Sequence, residues 1–273
     1  SKKERLLKGH IHILGICGTF MGGIALLARE LGYRVTGSDT SVYPPMSTQL
    51  RAAGIDLMEG YLPEHLQTRP DCVVVGNAMT RGNPLVEHLL NSGLSYTSGP
   101  QWLAEHVLQG KWVLAVSGTH GKTTTTSLTA SLLAEAGLDP TFVIGGLLNA
   151  WGSHARLGAG EYLVAEADES DGSFLLLQPV VALVSNVDRD HLENYDGSFE
   201  NLKKAFLEFL HHLPFYGAAV LCIDDAQTAA MIPSLTRAVV TYGLSERADI
   251  RATEVRQQGR VMHFRLHLPN DPS

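Results

Sequence analysis

The stretch Val113-Leu-Ala-Val-Ser-Gly-Thr-His-Gly-Lys-Thr-Thr-Thr-Thr126 decides how this chain folds. An apolar run from Trp112 to Val116 leads into a turn with glycines at 118 and 121, and a helix-compatible run follows from Lys122 to Ala136. Strand, glycine loop and helix in that order aim consecutive backbone N–H groups and the positive end of a helix dipole at one point, which suits a polyphosphate. Gly118, Thr119, His120, Gly121, Lys122, Thr123 and Thr124 are the candidate nucleotide-binding residues. Lys122 would reach the β- and γ-phosphates, and the Thr123 hydroxyl would be a ligand for the Mg²⁺ that accompanies a nucleotide. The chemistry indicated is ATP use. Val116 stands where G-x-x-x-x-G-K-[ST] asks for its first glycine, so the loop is expected to be tighter than usual.

Upstream of this loop lies a second glycine turn. His10 to Gly15 has strand character, Ile16-Cys-Gly-Thr-Phe-Met-Gly-Gly23 is a glycine turn opening a helix from about Ile24 to Leu31, and Tyr33 to Gly37 is a second strand ending at Ser38-Asp39. An acid at the end of the second strand of a β-α-β unit is where a dinucleotide fold places its ribose carboxylate. The spacing opposes an NAD site, because G-x-G-x-x-G counted from Gly15 needs glycine where the chain has Cys17 and Phe20. Gly15, Gly18 and Gly22 can still cradle another pyrophosphate, such as that of a UDP-sugar, and a plain packing turn is the alternative.

Short apolar strands at Ile55 to Met58, Cys72 to Val75 and Leu94 to Thr97 alternate with helical stretches at Ser47 to Ala53, Pro84 to Asn91 and Pro100 to Leu108. Such alternation predicts a doubly wound parallel sheet, and Gly76 to Arg81, which includes Asn77, sits at a strand end where ligands bind. A domain boundary is expected at Gln109-Gly110, giving domains over 1–109 and 110–273. Beyond the loop helix, strands are expected at Thr141 to Ile144, Tyr162 to Glu166, Val180 to Ser185, Ala219 to Ile223 and Ala238 to Tyr242. A glycine-rich loop over 145–160, a helix over 199–211 and an edge hairpin from Asp249 to Leu268 complete the pattern.

Two strand ends carry the remaining chemistry. Glu166, Asp168, Glu169 and Asp171 would repel one another unless a cation shares the site, and oxygen ligands at a strand end beside a phosphate loop suit Mg²⁺. Asn186-Val-Asp-Arg-Asp190-His191 follows another apolar strand, and His191 is a candidate metal ligand or a polar group near the transferred phosphate. His154 and Arg156, in the glycine-rich loop, are candidates for an anionic substrate, with solvation as the plain alternative.

Composition sets limits on these readings. With 44% hydrophobic and 18% charged residues the chain is that of a globular protein, and a net charge of −7 opposes nucleic-acid binding. No apolar run reaches a membrane span and no signal peptide is visible, so a cytoplasmic protein with no membrane partner is expected. Cys17, Cys72 and Cys222 lie too far apart to indicate a disulfide framework or a zinc site.

These residues resemble those of the Mur ligases, which build the peptide stem of peptidoglycan by ATP-driven amide formation. Gly15 to Gly23, Tyr43-Pro-Pro-Met-Ser-Thr-Gln49 and Ser98-Gly-Pro-Gln-Trp-Leu-Ala-Glu-His-Val107 resemble the branch that attaches a murein tripeptide. Val164-Ala-Glu-Ala-Asp-Glu-Ser-Asp-Gly-Ser-Phe174 and Leu213-Pro-Phe-Tyr-Gly217 are similar to the branch that attaches L-alanine. The resemblance implies a Rossmann-like domain for UDP-N-acetylmuramate followed by a P-loop α/β domain for ATP. ATP would phosphorylate the lactyl carboxylate, and an amine, from L-alanine or the tripeptide, would attack the acyl phosphate. It further implies that Lys122 stabilises the transferring phosphoryl group, that Thr123 and Glu166 hold Mg²⁺, and that His191 binds a second divalent ion. Gly15, Gly18, Thr19, Gly22, Ser38, Asp39 and Asn77 would serve the UDP-sugar. The family's third domain has no counterpart before Ser273, so the chain alone is expected to bind UDP-N-acetylmuramate while being weak or inactive as a ligase.

Overall fold

The computed structural model describes residues 8–148, 153–169, 177–190 and 192–270. The first strands are β1 (His10–Leu14) and β2 (Arg34–Asp39), flanking helix α1 (Thr19–Leu31). Then follow α2 (Met46–Ala52), β3 (Asp56–Glu59), β4 (Cys72–Val75), α3 (Pro84–Ser92), β5 (Tyr96–Ser98) and α4 (Gly99–Leu103). The helix expected over 100–108 stops at Leu103, where a wider π turn takes over at Ala104–Leu108. The deciding stretch forms β6 (Trp112–Ser117) and α5 (Lys122–Glu135) as expected. After it come β7 (Thr141–Leu148), β8 (Ser153–Arg156), β9 (Tyr162–Glu166), β10 (Val181–Val184) and α6 (Phe199–His211). The last elements are β11 (Ala218–Cys222), α7 (Ala226–Met231), β12 (Ala238–Gly243), β13 (Ile250–Gln258) and β14 (Val261–His267).

The chain divides into two compact units. One comprises residues 1–112 with 126–165, the other 113–125 with 166–273. In the first unit, β3-β2-β1-β4-β5 form a wholly parallel sheet. Its order reverses between β1 and β4, so a crevice is expected beyond the carboxyl ends of those two strands. Only β4, Cys-Val-Val-Val, is a continuous apolar run, and Ile11, Ile13, Leu14, Val73 and Val74 are the buried apolar residues of β1 and β4. Helix α3 shows how locally consistent the sequence is. Asn83 caps it by accepting from the N–H groups of Leu85 and Val86, Pro84 opens it, and Gly93 closes it in a left-handed conformation.

One polar seam runs through this apolar sheet. His12 is fully buried, with Nδ1 2.7 Å from Thr36 Oγ1 and Nε2 2.7 Å from Ser38 Oγ. Thr36 Oγ1 also meets His10 Nε2 at 2.8 Å, and Ser38 Oγ meets His65 Nδ1 at 2.8 Å. Burial drives the pKa of His12 down to about 3, so the ring is neutral and its cost is offset by two hydrogen bonds.

The first unit also holds β9-β7-β8, with β7 parallel to β9 and antiparallel to β8. Helix α1 packs on β7 and β8, where Gly23 faces Val143 and Ala155 and the Glu30 carboxylate accepts from the Leu157 N–H at 2.5 Å. The glycine-rich loop expected over 145–160 is therefore interrupted by a strand. Pairing with β7 outweighs the turn-rich composition around it.

The second unit has the strand order β14-β13-β12-β11-β10-β6. All neighbours are parallel except the β13–β14 edge hairpin, as its alternating pattern predicts. Helix α6 buries Leu202, Ala205, Phe206, Phe209 and Leu210, an apolar stripe at helical spacing. Helix α7 was not anticipated from the sequence; Asp225 caps it, with Oδ2 accepting from the Thr228 N–H at 2.8 Å. Among the described residues no helix is long and apolar enough to cross a membrane.

Candidate functional site

The register of β10 on β6 sets up the glycine loop between β6 and α5. Val184 lies opposite Ser117, so Ser185 and Asn186 emerge beside Gly118 and the loop that follows it. Gly118 has φ +137°, and a Cβ there would stand 2.3 Å from Ser185 Oγ. Only glycine suits both conditions. The Thr119 N–H donates to the Asn186 carbonyl at 3.0 Å, and the Asp188 N–H donates to Thr119 Oγ1 at 2.8 Å. Asn186 Oδ1 accepts from the His120 N–H at 2.8 Å, while its Nδ2 donates to the His120 carbonyl at 2.9 Å. Ser185 Oγ donates to that carbonyl too, at 3.2 Å.

The segment after β9 runs beside β6, with the Ala167 N–H donating to the Val116 carbonyl at 2.8 Å. This brings the acids to the start of α5. Thr123 Oγ1 lies 3.1 and 3.3 Å from the two oxygens of Glu166. Lys122 Nζ lies 3.0 Å from Glu169 Oε2 and 3.8 Å from Asp168 Oδ1. The first turn of α5 contains no acidic residue that would compete with a phosphate for its N–H groups. Glu169 has no exposed surface, and burial raises its carboxyl pKa while Lys122 pulls it down. Tyr195 Oη donates to the Glu169 carbonyl at 2.6 Å. Lys122, Thr123 and Glu166 thus come together as the sequence suggests, with Gly118, Thr119, His120 and Gly121 forming the loop and Thr124 exposed on α5.

Hard oxygen donors from Thr123 and Glu166 at hydrogen-bonding separation fit a Mg²⁺ ion. His191 and Asp171 lie outside the described residues. A grouping that sequence reasoning missed is His120 with Asp188 and Asp190, at 3.4 and 3.2 Å from His120 Nε2. All three are exposed and offer ligand atoms within 4.8 Å of one another. The Asp188 carboxyl is held below its usual range by the Arg189 N–H first and by His120 second.

In the first unit, Gly15, Gly18 and Thr19 follow β1 and Asn77 follows β4, so these candidates flank the reversal in strand order. Ser38 and Asp39 end β2 between them and the sheet core, and both are committed to the loop. Ser38 O accepts from the Gly15 N–H at 2.9 Å. Asp39 Oδ2 accepts from the Cys17 N–H at 2.9 Å and Oδ1 from the Ser41 N–H at 2.8 Å. Burial, with Asp39 second, pushes the Cys17 thiol up to about 11, so it stays protonated. The glycine turn is shorter than the sequence suggests, because α1 begins at Thr19. Gly22 is buried inside the helix, where a Cβ would stand 2.7 Å from Met46 Sδ.

His154 and Arg156 stand on β8 and not in an open loop. His154 is buried, burial lowers its pKa, and among the described residues neither ring nitrogen has a hydrogen-bond partner of normal geometry. Arg156 Nη2 pairs with Asp139 Oδ1 at 3.3 Å. The strand, unseen in the glycine-rich composition, accounts for both placements.

Comparison with known proteins gives a consistent picture. Residues 10–111 match the family model described as "Mur ligase family, catalytic domain", and residues 116–272 match "Mur ligase middle domain". The chain is 52% identical over 255 residues to UDP-N-acetylmuramate–L-alanine ligase of Dichelobacter nodosus, covering 93% of this chain and 53% of that protein. Among solved structures, it resembles UDP-N-acetylmuramate:L-alanyl-gamma-D-glutamyl-meso-diaminopimelate ligase from Neisseria meningitides. That match has 38% identity and a TM-score of 0.86, covering 95% of this chain and 84% of the other. A murein peptide ligase from Psychrobacter arcticus gives 39% identity and a TM-score of 0.84, covering 96% and 59%. The chain spans about half the length of the curated relatives it matches.

Proposed function

This chain belongs to the Mur ligase family, and from that premise we propose that it carries the UDP-N-acetylmuramate and ATP sites of a peptidoglycan ligase. Residues 1–109 form the nucleotide-sugar domain in this reading, and residues 110–273 the ATP domain. The observation that carries it is the meeting of Lys122 and Thr123 with Glu169 and Glu166 at the mouth of the glycine loop.

Lys122 serves as the cation for the transferring phosphoryl group, and the loop N–H groups orient the polyphosphate. Thr123 and Glu166 would hold Mg²⁺, which when bound neutralises charge on the phosphate oxygens. His191 is proposed as a ligand for a second divalent ion. The lactyl carboxylate of UDP-N-acetylmuramate receives the phosphoryl group, and an amine displaces phosphate to form the amide. Gly15, Gly18, Thr19 and Asn77 line the proposed UDP-sugar crevice, with Ser38 and Asp39 shaping the loop from behind. L-alanine is the proposed acceptor, favoured by the 52% identity to an L-alanine ligase. A murein tripeptide is the second reading, favoured by the 38% identity to the meningococcal structure over 95% of the chain. A cytoplasmic enzyme with no nucleic-acid or membrane partner completes the proposal.

Calorimetric titration with UDP-N-acetylmuramate, and with UDP-N-acetylglucosamine as the control lacking the lactyl carboxylate, tests the sugar site. Binding of the first alone is the expected result, and binding of neither would remove the proposed substrate. Titration with MgATP tests the second site in the same way.

A further inference from the structure

We propose that His120, Asp188 and Asp190 form a binding site for a divalent transition-metal cation, of the Mn²⁺ or Zn²⁺ kind, on the flank of the glycine loop. The site uses none of the residues proposed to hold Mg²⁺ and needs no nucleotide, so it goes beyond the ligase reading.

Strand register brings the three residues together. His120 lies in the loop before α5, whereas both acids follow β10, which runs beside β6. The Asp188 N–H donates to Thr119 Oγ1 at 2.8 Å, which ties the acidic segment to the loop. The Asn186 amide holds the His120 backbone at its N–H and its carbonyl, so the ring projects from a fixed position. Its Nε2 stands 3.4 Å from Asp188 Oδ2 and 3.2 Å from Asp190 Oδ2. All three ligand atoms lie within 4.8 Å of one another.

These separations fit a single ion. Ligand atoms about 2.1 Å from a metal stand about 3.0 Å apart at right angles and about 3.4 Å apart at the tetrahedral angle. Both distances from the imidazole nitrogen fall in that range. The donor set decides the kind of cation. Mg²⁺ and Ca²⁺ take oxygen ligands, whereas an imidazole nitrogen with two carboxylates suits Mn²⁺, Zn²⁺ and their neighbours.

The charges around the group agree with this. Two carboxylates converge on one imidazole, and Arg189, between them in sequence, turns its guanidinium over the Phe199 ring, 4.6 Å from the centroid. Its backbone N–H donates to Asp188 Oδ1 at 2.7 Å, which leaves Oδ2 facing the His120 ring. The three side chains are exposed, so water can complete the coordination. A bound cation would tie the loop at His120 to the segment after β10 and place positive charge beside the loop.

The test is electron paramagnetic resonance of the nucleotide-free protein titrated with Mn²⁺. Wild type is expected to bind the ion with a coupling to an imidazole nitrogen. His120→Gln should lose that coupling, and Asp190→Asn should weaken the affinity at least about tenfold. Glu166→Gln, which alters the proposed Mg²⁺ site, should leave the coupling in place. Absence of nitrogen coupling in wild type, its persistence in His120→Gln or its loss in Glu166→Gln would overturn the proposal. Should His120→Gln fail to fold, Asp190→Asn decides alone, since an affinity equal to that of wild type excludes the site. No nucleotide is present in these titrations, so their failure leaves the nucleotide reading standing, and failure of MgATP to bind leaves this site standing.

Discussion

The side-chain amide of Asn186 grips the backbone of His120 at both ends, accepting from its N–H at 2.8 Å and donating to its carbonyl at 2.9 Å. A side chain thus does for the glycine loop what a neighbouring strand does for a sheet edge. Asn186→Ala removes both bonds and leaves the loop free to sample conformations that cannot cradle phosphate. Each bond is worth about 0.5–1.5 kcal/mol net, so MgADP affinity is expected to fall roughly tenfold with little change in overall fold. Unchanged affinity in a calorimetric titration would show that the grip is dispensable.

Lys122→Met is expected to abolish measurable nucleotide binding. It also strands Glu169 in the interior without its cation. Breaking a buried pair from one side costs about 3–5 kcal/mol when the remaining group must stay charged, less when it can take up a proton. Chemical denaturation should therefore show a destabilised single variant and substantial recovery in Lys122→Met combined with Glu169→Gln. A double variant no more stable than the single one would mean that the two side chains are not coupled.

Thr123→Val and Glu166→Gln address the divalent ion. Each removes an oxygen ligand of the proposed Mg²⁺ site while leaving the glycine loop in place. Nucleotide affinity in excess Mg²⁺ is expected to drop toward the value measured in EDTA, and the difference between those two conditions should shrink at least tenfold. A Mg²⁺ dependence equal to that of wild type would place the ion elsewhere.

Acid should weaken the first unit through His12. The native ring is neutral down to about pH 3, whereas the unfolded ring binds a proton below the ordinary histidine value of 6.5. The unfolded state therefore holds more protons as pH falls through that window. Stability contributed by the neutral ring is fully present above about pH 6.5 and is lost progressively toward pH 3, about 2 kcal/mol of it by pH 5. Burial lowers His10 and His65 as well, which acts with the same sign. Urea midpoints at pH 7.5 and 5 would check this, and equal midpoints would contradict it. His12→Asn should be less stable at neutral pH but less sensitive to acid.

The parts that could be read from residue order are those where local chemistry agrees with the fold. The β6-loop-α5 stretch, the parallel sheet of the first unit and the edge hairpin all come from apolar runs and glycine turns whose partners are close in sequence or repeat a pattern. Lys122, Thr123 and Glu166 were legible for the same reason, since each sits at the end of a recognisable strand or loop. Asn186 and Glu169 were not. Their roles come from strand register, which sets Asn186 some 66 positions from its partner His120 and Glu169 some 47 from Lys122. Asp39 is a further case. Its place at the end of β2 suggested a ligand carboxylate, and the structure adds a use that residue order does not reveal, one oxygen accepting from the Cys17 N–H and the other from the Ser41 N–H. Strand β8 was hidden because glycine-rich composition says little about pairing with a distant strand.

The seam of His10, Thr36, His12, Ser38 and His65 has a handedness of its own. A hydroxyl between two imidazole nitrogens gives its hydrogen to one and receives from the other. A neutral imidazole likewise carries its proton on only one side. With each link made by one hydrogen and every hydroxyl hydrogen spent inside the row, all the arrows run one way or all run the other. Reversing the hydroxyl of Ser38 obliges His12 to change tautomer, and Thr36 and His10 to follow. The partly exposed ring of His65 therefore registers, at the surface, the proton position on a histidine that water does not touch.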